Sequence, residues 1–168
     1  MDEIHITTLE DLGFDGFYKS EHIVARVVAE YKEAYRVRSI NGESLAKITG
    51  KQLFSATKRE DYPAVGDFVV IDELSGEKAV IREVLPRKTK LKKKYSNKEE
   101  NQLIATNIDT AFIVGSPDRD YSLNRFERYF VIAKDGGINP VIIINKTDLI
   151  SEAELVLRLN EIIEQPLG

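Results

Sequence analysis

From Ile23 to about Leu85 the chain runs in short apolar stretches divided by turn signals, the pattern of a small antiparallel barrel or sandwich. Ile23–Ala29 predicts a first strand and Tyr35–Ile40 a second, with Arg36 and Arg38 on one face and Tyr35 and Val37 on the other. Asn41-Gly42 closes a hairpin, because both residues accept the positive φ of a type I′ turn. Glu43–Ile48 returns as a third strand. Gly50–Glu60 lacks alternation and predicts a short helix or turn. Pro63-Ala-Val-Gly-Asp67 then leads tightly into Phe68–Ile71, and Ser75-Gly76 turns that strand into Ala79–Val84. Five strands with a non-strand insertion between the third and fourth have the order of an OB-fold, although an SH3-like barrel would give nearly the same string.

Beyond Pro86 the texture changes. Arg87-Lys-Thr-Lys-Leu-Lys-Lys-Lys94 and a polar stretch through Asn101 read as a basic arm and an inter-domain segment. Strands then alternate with helices. Thr110–Val114 predicts a buried strand, and Ser122 is placed to cap a helix with Leu123, Phe126, Phe130 and Ala133 inward, ended by Gly136-Gly137. Pro140–Ile144 is a continuous apolar run, the signature of a parallel strand covered on both faces. Ser151-Glu-Ala-Glu154 forms a capping box before a last helix with Leu155, Val156, Leu159 and Ile162 inward. Two strands, each followed by a helix, make a doubly wound unit with fewer strands than such a domain normally holds, so the chain is expected to be the amino-terminal portion of a longer protein.

Composition supports a globular protein: 42% hydrophobic residues and 10 Gly in 168 residues exclude disorder, collagen and coiled coil. Tyr129–Ala133 is the longest uninterrupted apolar run, far short of a bilayer span, and Met1-Asp2-Glu3 offers no basic signal-peptide start, so a cytoplasmic location is expected. With no Cys and only His5 and His22, neither a disulfide framework nor a structural zinc site is expected within the chain. Net charge is −4, yet residues 84–98 hold seven Lys or Arg and no acid. Such a strip on an acidic chain suits a local polyanion contact, or else a solvated loop.

The most informative residues are Asn145-Lys146-Thr147-Asp148, directly after an apolar strand and before a capped helix. Guanine presents two adjacent donors, N1–H and the 2-amine, and a carboxylate supplies two matching acceptors. Asp148 would take both, whereas adenine would leave it desolvated and unpaired. Asn145 would tie the loop and reach the other base edge, while the stem of Lys146 covers the flat face. The plainer alternative is that Asn145 and Asp148 only cap and turn. No Gly-x-x-x-x-Gly-Lys-Ser/Thr phosphate loop occurs; the Gly50-Lys51 pair has Leu45 at the first glycine position and Gln52 after the lysine. A guanine loop behind a barrel, with no phosphate loop ahead of it, implies a permuted order.

That order, with Pro63–Asp67, the Pro86-Arg-x-Thr-x-Leu91 stretch, Gln102–Asp109, Leu123–Tyr129 and Asn145–Ile150, resembles the circularly permuted, ribosome-small-subunit-dependent GTPases of the RsgA/YjeQ family. One departure is Lys93, where the family usually carries Arg. The resemblance implies a β-barrel of the OB-fold followed by an incomplete α/β doubly wound domain like that of P-loop GTPases. It also implies a GTPase that assists late maturation of the small ribosomal subunit, acting as a monomer on that subunit and its rRNA. GTP or GDP with Mg²⁺ would be bound by the complete protein, and Zn²⁺ only in a carboxy-terminal part outside this chain. The expected divisions are a 1–21 extension, a 22–94 OB-fold RNA-binding domain with a basic tail, and a 95–168 partial GTPase domain.

Nucleotide contact is expected from Asn145, Lys146, Thr147 and Asp148, and RNA contact from Arg36, Arg38, Arg87, Lys88, Lys90, Lys92, Lys93 and Lys94. Tyr35, Phe54 and Tyr62 are candidate stacking platforms, with core packing the commoner fate of barrel aromatics. Asn107 and Asp109 suit turn roles better than catalysis, and the first 22 residues suit packing on the barrel. The alternative function is an OB-fold RNA-binding adaptor without nucleotide-dependent activity.

Overall fold

The computed structural model describes residues 8–16, 22–50, 59–94 and 101–164. The chain divides into two compact units, residues 1–107 and 108–168. In the first, β1 (Ile23–Glu30), β2 (Tyr35–Ser39), β3 (Gly42–Ile48), β4 (Phe68–Leu74) and β5 (Lys78–Val84) close a barrel in the order β1-β2-β3-β5-β4. The other pairings are antiparallel, but β3 and β5 run parallel, with Leu45 opposite Lys78 and Ile48 opposite Ile81. That parallel closure is the OB-fold arrangement, which alternation alone does not reveal.

Strand alternation sends Ala25, Val27, Tyr35, Val37, Ala46, Val69, Ile71, Ala79 and Ile81 into the barrel core, small residues mixed with large ones to fill a narrow interior. In β4 four successive residues, Phe68–Ile71, are buried because both faces are covered. Val69 and Ile71 point inward, while Phe68 and Val70 join Leu12, Val24 and Leu85 in an outer cluster under the segment around the 3-10 turn Glu10–Leu12. Phe14 meets Phe68 edge-on at 5.0 Å, and the Arg26 guanidinium sits over the Phe68 ring while donating to the Leu12 and Asn107 carbonyls. The short helix or turn expected over Gly50–Glu60 lies mostly outside the described residues, which resume at Arg59, where Arg59–Asp61 forms a 3-10 turn.

The basic arm is a strand. β6 (Lys90–Lys94) pairs antiparallel with β7 (Asn101–Thr106), Lys90 opposite Thr106 and Lys94 opposite Asn101. This ribbon belongs to the first unit, so the compact division falls after Asn107, not after Lys94. It is fastened to the barrel by the Thr106 N–H on the Val65 carbonyl and by Asn107, whose side chain bonds the Gly66 carbonyl and the Lys88 N–H. Asn107 has φ 52, a turn conformation asparagine tolerates well, which agrees with a structural role. Gly66 has φ +92, and a Cβ there would collide with the Thr106 carbonyl.

The second unit holds β8 (Thr110–Gly115), α1 (Leu123–Asp135), β9 (Asn139–Ile144) and α2 (Glu152–Glu164), with β8 and β9 parallel. Ile113, Phe126 and Ile162 form its core with Leu123, Phe130, Ile142 and Ile144 packed around them. Gly115 lacks a Cβ where the Phe126 ring passes closest. The apolar run in β9 predicted cover on both faces; cover is found on one. Phe112 and Val114 of β8 are 67% and 60% exposed, and Val141 and Ile143 lie on the same open side. Ser122 stands at the N-cap of α1 without a side-chain capping bond, whereas the capping box of α2 forms in both directions: Glu154 N–H to the Ser151 hydroxyl at 3.3 Å and Ser151 N–H to the Glu154 carboxylate at 3.1 Å. Among the described residues no helix is long and apolar enough to cross a membrane.

Candidate functional site

Parallel register brings the carboxyl ends of β8 and β9 to one sheet edge, Gly115 opposite Ile144, where ligands of open α/β sheets bind. The Asn145 N–H continues the ladder onto the Gly115 carbonyl at 2.8 Å. Its side-chain oxygen then accepts the Lys146 N–H at 2.8 Å, so Asn145 ties the loop. Lys146 takes a left-handed conformation, φ 57 and ψ 43, and reverses the chain into the 3-10 turn Thr147–Leu149. Thr147 and Asp148 are exposed.

Asp148 makes no hydrogen bond or ion pair among the described residues. Capping of α2 falls to Ser151 and Glu154 instead. The Ser151 backbone N–H, and then its hydroxyl, hold the Glu154 carboxyl below the usual range. Of the two local duties that could account for an Asn and an Asp here, Asn145 performs one and Asp148 performs none. Among the described residues nothing occupies either of its oxygens.

Residues 116–121 lead out of β8 beside this loop. Asp118, half-buried, accepts the Asp120 N–H at 3.2 Å, and Tyr121 donates its hydroxyl to the Arg158 carbonyl at 3.2 Å. Burial, then the Glu161 carboxylate, push the Tyr121 hydroxyl up to about 12. No spacing rule singles out Asp118; its one sequence signal is a Pro-Asp turn at the end of a parallel strand.

The basic strip is far less free than its composition suggests. Arg87 is a buried strut, not a surface cation, and the expectation of RNA contact there is corrected. Its Nε and Nη2 donate to the two Asp67 carboxylate oxygens at 2.7 and 2.6 Å, Nη1 donates to the Glu60 carbonyl and Nη2 also to the Tyr62 carbonyl. The Arg87 side chain is 9% exposed and that of Asp67 0%. Asp67 also accepts the Thr106 hydroxyl at 2.6 Å and the Ala64 N–H at 2.8 Å. Three of the stretches that carry the family resemblance thus meet at one carboxylate.

Lys88 pairs with Asp15, and Lys92 with Glu60 at 2.8 Å. The Lys92 bond is the main cause holding the Glu60 carboxyl below its ordinary range. Lys90 is half-buried, Lys93 is exposed, and the side chain of Lys94 lies outside the described residues. Arg36 and Arg38 point outward from β2 and share Glu43 at 3.4 and 3.9 Å. Tyr35 is 6% exposed and belongs to the core, Tyr62 is half-buried, and Phe54 lies outside the described residues.

The chain thus carries an OB barrel followed by an α/β unit with Asn-Lys-x-Asp at the carboxyl edge of its parallel strands. Residues 84–166 match the RsgA GTPase family model. The small ribosomal subunit biogenesis GTPase RsgA 1 of Listeria innocua is 42% identical over 149 residues, covering 86% of this chain and 41% of that protein. RsgA of Opitutus terrae is 37% identical over 164 residues, covering 87% of this chain and 45% of that protein. The crystal structure of YjeQ from Thermotoga maritima superposes with a TM-score of 0.65 at 25% identity, over 83% of this chain and 48% of that one. YloQ, described as a circularly permuted GTPase, shares the fold with a TM-score of 0.60 at 22% identity, over 84% of this chain and 48% of that one. The chain belongs to the RsgA family. It spans about two fifths of the length of the curated relatives it matches.

Proposed function

We propose that this chain supplies the RNA-docking barrel and the guanine-reading loop of a circularly permuted GTPase that assists late maturation of the small ribosomal subunit in the cytoplasm. The observation that carries the reading is the exposed Asp148 carboxylate, without a partner among the described residues, on a loop fixed by Asn145 at the carboxyl edge of a parallel sheet. Asp148 accepts the N1–H and 2-amine of guanine, and Lys146 covers the ring. Thr147 lies in the turn that presents them.

Hydrolysis needs phosphate charge neutralised and a water positioned, tasks of a phosphate loop and Mg²⁺. This chain has no phosphate-loop sequence, and among the described residues no group of three or more His, Cys, Asp or Glu side chains is placed to hold a metal ion. The phosphate and Mg²⁺ contacts are assigned to a phosphate loop that this sequence does not contain. Residues 1–168 alone should not turn over GTP; turnover above buffer would contradict that.

Titrating the complete native protein with fluorescent GDP and ADP tests the reading. Saturable binding of GDP that ADP does not displace supports it, and an RNA-binding adaptor without nucleotide-dependent activity would take neither.

RNA docking is assigned to the outward Arg36 and Arg38 and to Lys90, Lys93 and Lys94 of β6. Lys88, Lys92, Arg36 and Arg38 are ion-paired with Asp15, Glu60 and Glu43 and would exchange those partners for phosphate. Changing Lys90, Lys93 and Lys94 together to Glu should weaken binding to small-subunit rRNA and make log affinity against log salt shallower by about two to three, one counterion for each phosphate no longer neutralised. An unchanged salt slope would place the docking surface elsewhere.

A further inference from the structure

We infer that the RNA-docking surface continues past Arg36 and Arg38, across the parallel pairing of β3 with β5, onto Lys47 and Lys78. This extension rests on the RNA-docking reading above. Strand register places its members. Ala46 and Ala79 are partners inside the barrel, and Ile48 and Ile81 lie on that side too, so Leu45, Lys47, Lys78 and Val80 stand on the outer wall. One row crosses four strands: Arg36 on β2, Leu45 on β3, Lys78 on β5 and Leu74 on β4. The Leu45 N–H on the Glu77 carbonyl at 2.8 Å ties the start of the parallel pairing. Lys47 follows Leu45 by two residues and is diagonal to Lys78, with about 8 Å between their backbones from strand spacing and rise.

The acids of this wall are already taken. Arg36 and Arg38 share Glu43. Asp72 lies in the row of Lys47, beyond Val80, but Arg82 bonds it at 2.6 Å and His22 at 2.8 Å. Lys47 and Lys78 are exposed and have no ion-pair partner among the described residues. Two like charges so placed repel each other, and an anion between them relieves both.

Leu45 and Leu74 are exposed on either side of Lys78. Apolar side chains set between cations suit the sugar and base surface of RNA, whose phosphates the lysines take. Arg36 stands in the same row, so one strand of RNA can run from the arginines onto the lysines without leaving the sheet. Neither lysine belongs to the basic run after Pro86. They lie far apart in the chain, and the parallel closure of the barrel is what brings them together.

Titrating the complete native protein with labelled small-subunit rRNA at several salt concentrations tests this. Lys47→Gln with Lys78→Gln should weaken binding about tenfold at about 0.1 M salt. Log affinity against log salt should become shallower by about 1.4–1.8, the share of two phosphates. Lys47→Arg with Lys78→Arg should keep both affinity and slope, and both variants should melt like the unaltered protein. An unchanged salt slope in the Gln pair would overturn the inference, whether or not affinity falls. So would unchanged rRNA affinity beside lost binding of a polyglutamate peptide, the mark of a site for acidic protein. If the unaltered protein binds no rRNA, the docking reading itself is what has failed.

Discussion

Replacing Arg87 with alanine should destabilise the first unit by about 3–5 kcal/mol, the usual result of stranding one member of a buried ion pair. Asp67 is completely buried, and without the guanidinium its carboxylate would keep, among the described residues, the Thr106 hydroxyl and the Ala64 N–H. The Glu60 and Tyr62 carbonyls would lose their donor in the same step. In chemical denaturation of the whole chain the midpoint of the first transition should fall with its slope unchanged. Arg87→Lys should rescue little, because an ammonium cannot bond both carboxylate oxygens in parallel and reach two carbonyls besides. Removing both charges together, Asp67→Asn with Arg87→Gln, should be milder than Arg87→Ala. If the single and the paired variants lose equally, the buried charge is not what the arginine is there to satisfy.

Replacing Asp148 with alanine should leave the fold intact and abolish tight guanine binding. Two charge-assisted hydrogen bonds are removed, each worth about 1.5–3 kcal/mol, so GDP affinity in the complete protein should fall about a hundredfold or more. Stability should shift by less than about 0.5 kcal/mol, since the side chain is exposed and unpaired among the described residues. Selectivity gives a sharper reading than affinity. The preference for GDP over ADP should collapse, because it comes from two acceptors that fit guanine's donors and repel adenine's bare N1. Parallel titrations with the two nucleotides, alongside a melting curve, separate this outcome from simple unfolding.

Much of the barrel was legible because one face of a strand such as β2 is wet, although β4 is covered on both. The alternation of Tyr35, Val37 and Ser39 with Arg36 and Arg38 fixes both the strand and its inward side. The Ser151–Glu154 box was legible because it is a local exchange of bonds within four residues. Long-range features were not. The parallel pairing of β3 with β5 depends on how the barrel closes, and no spacing in either strand encodes it.

The basic run Arg87–Lys94 read as a polyanion contact or a solvated loop because charge count conceals both the ladder that β6 makes with Asn101–Thr106 and the acids that answer Arg87, Lys88 and Lys92. Those acids, Asp15, Glu60 and Asp67, lie 20 or more residues away in the chain. The apolar run of β9 announced burial on two faces, yet only one is covered here, so a hydrophobic run reports a strand's demand for cover and not its supply. In the guanine loop the residue types and their spacing were legible. That Asn145 ties the loop while Asp148 stays unpaired among the described residues required coordinates.

The most direct test of guanine reading exchanges donors and acceptors on both sides. Xanthine carries a carbonyl where guanine has its 2-amine, and an asparagine amide at position 148 offers one acceptor for N1–H and one donor for that carbonyl. The complete protein carrying Asp148→Asn should therefore bind xanthosine diphosphate more tightly than GDP, while the unaltered protein keeps the opposite order. If both proteins rank the two nucleotides alike, the Asp148 carboxylate does not face the base.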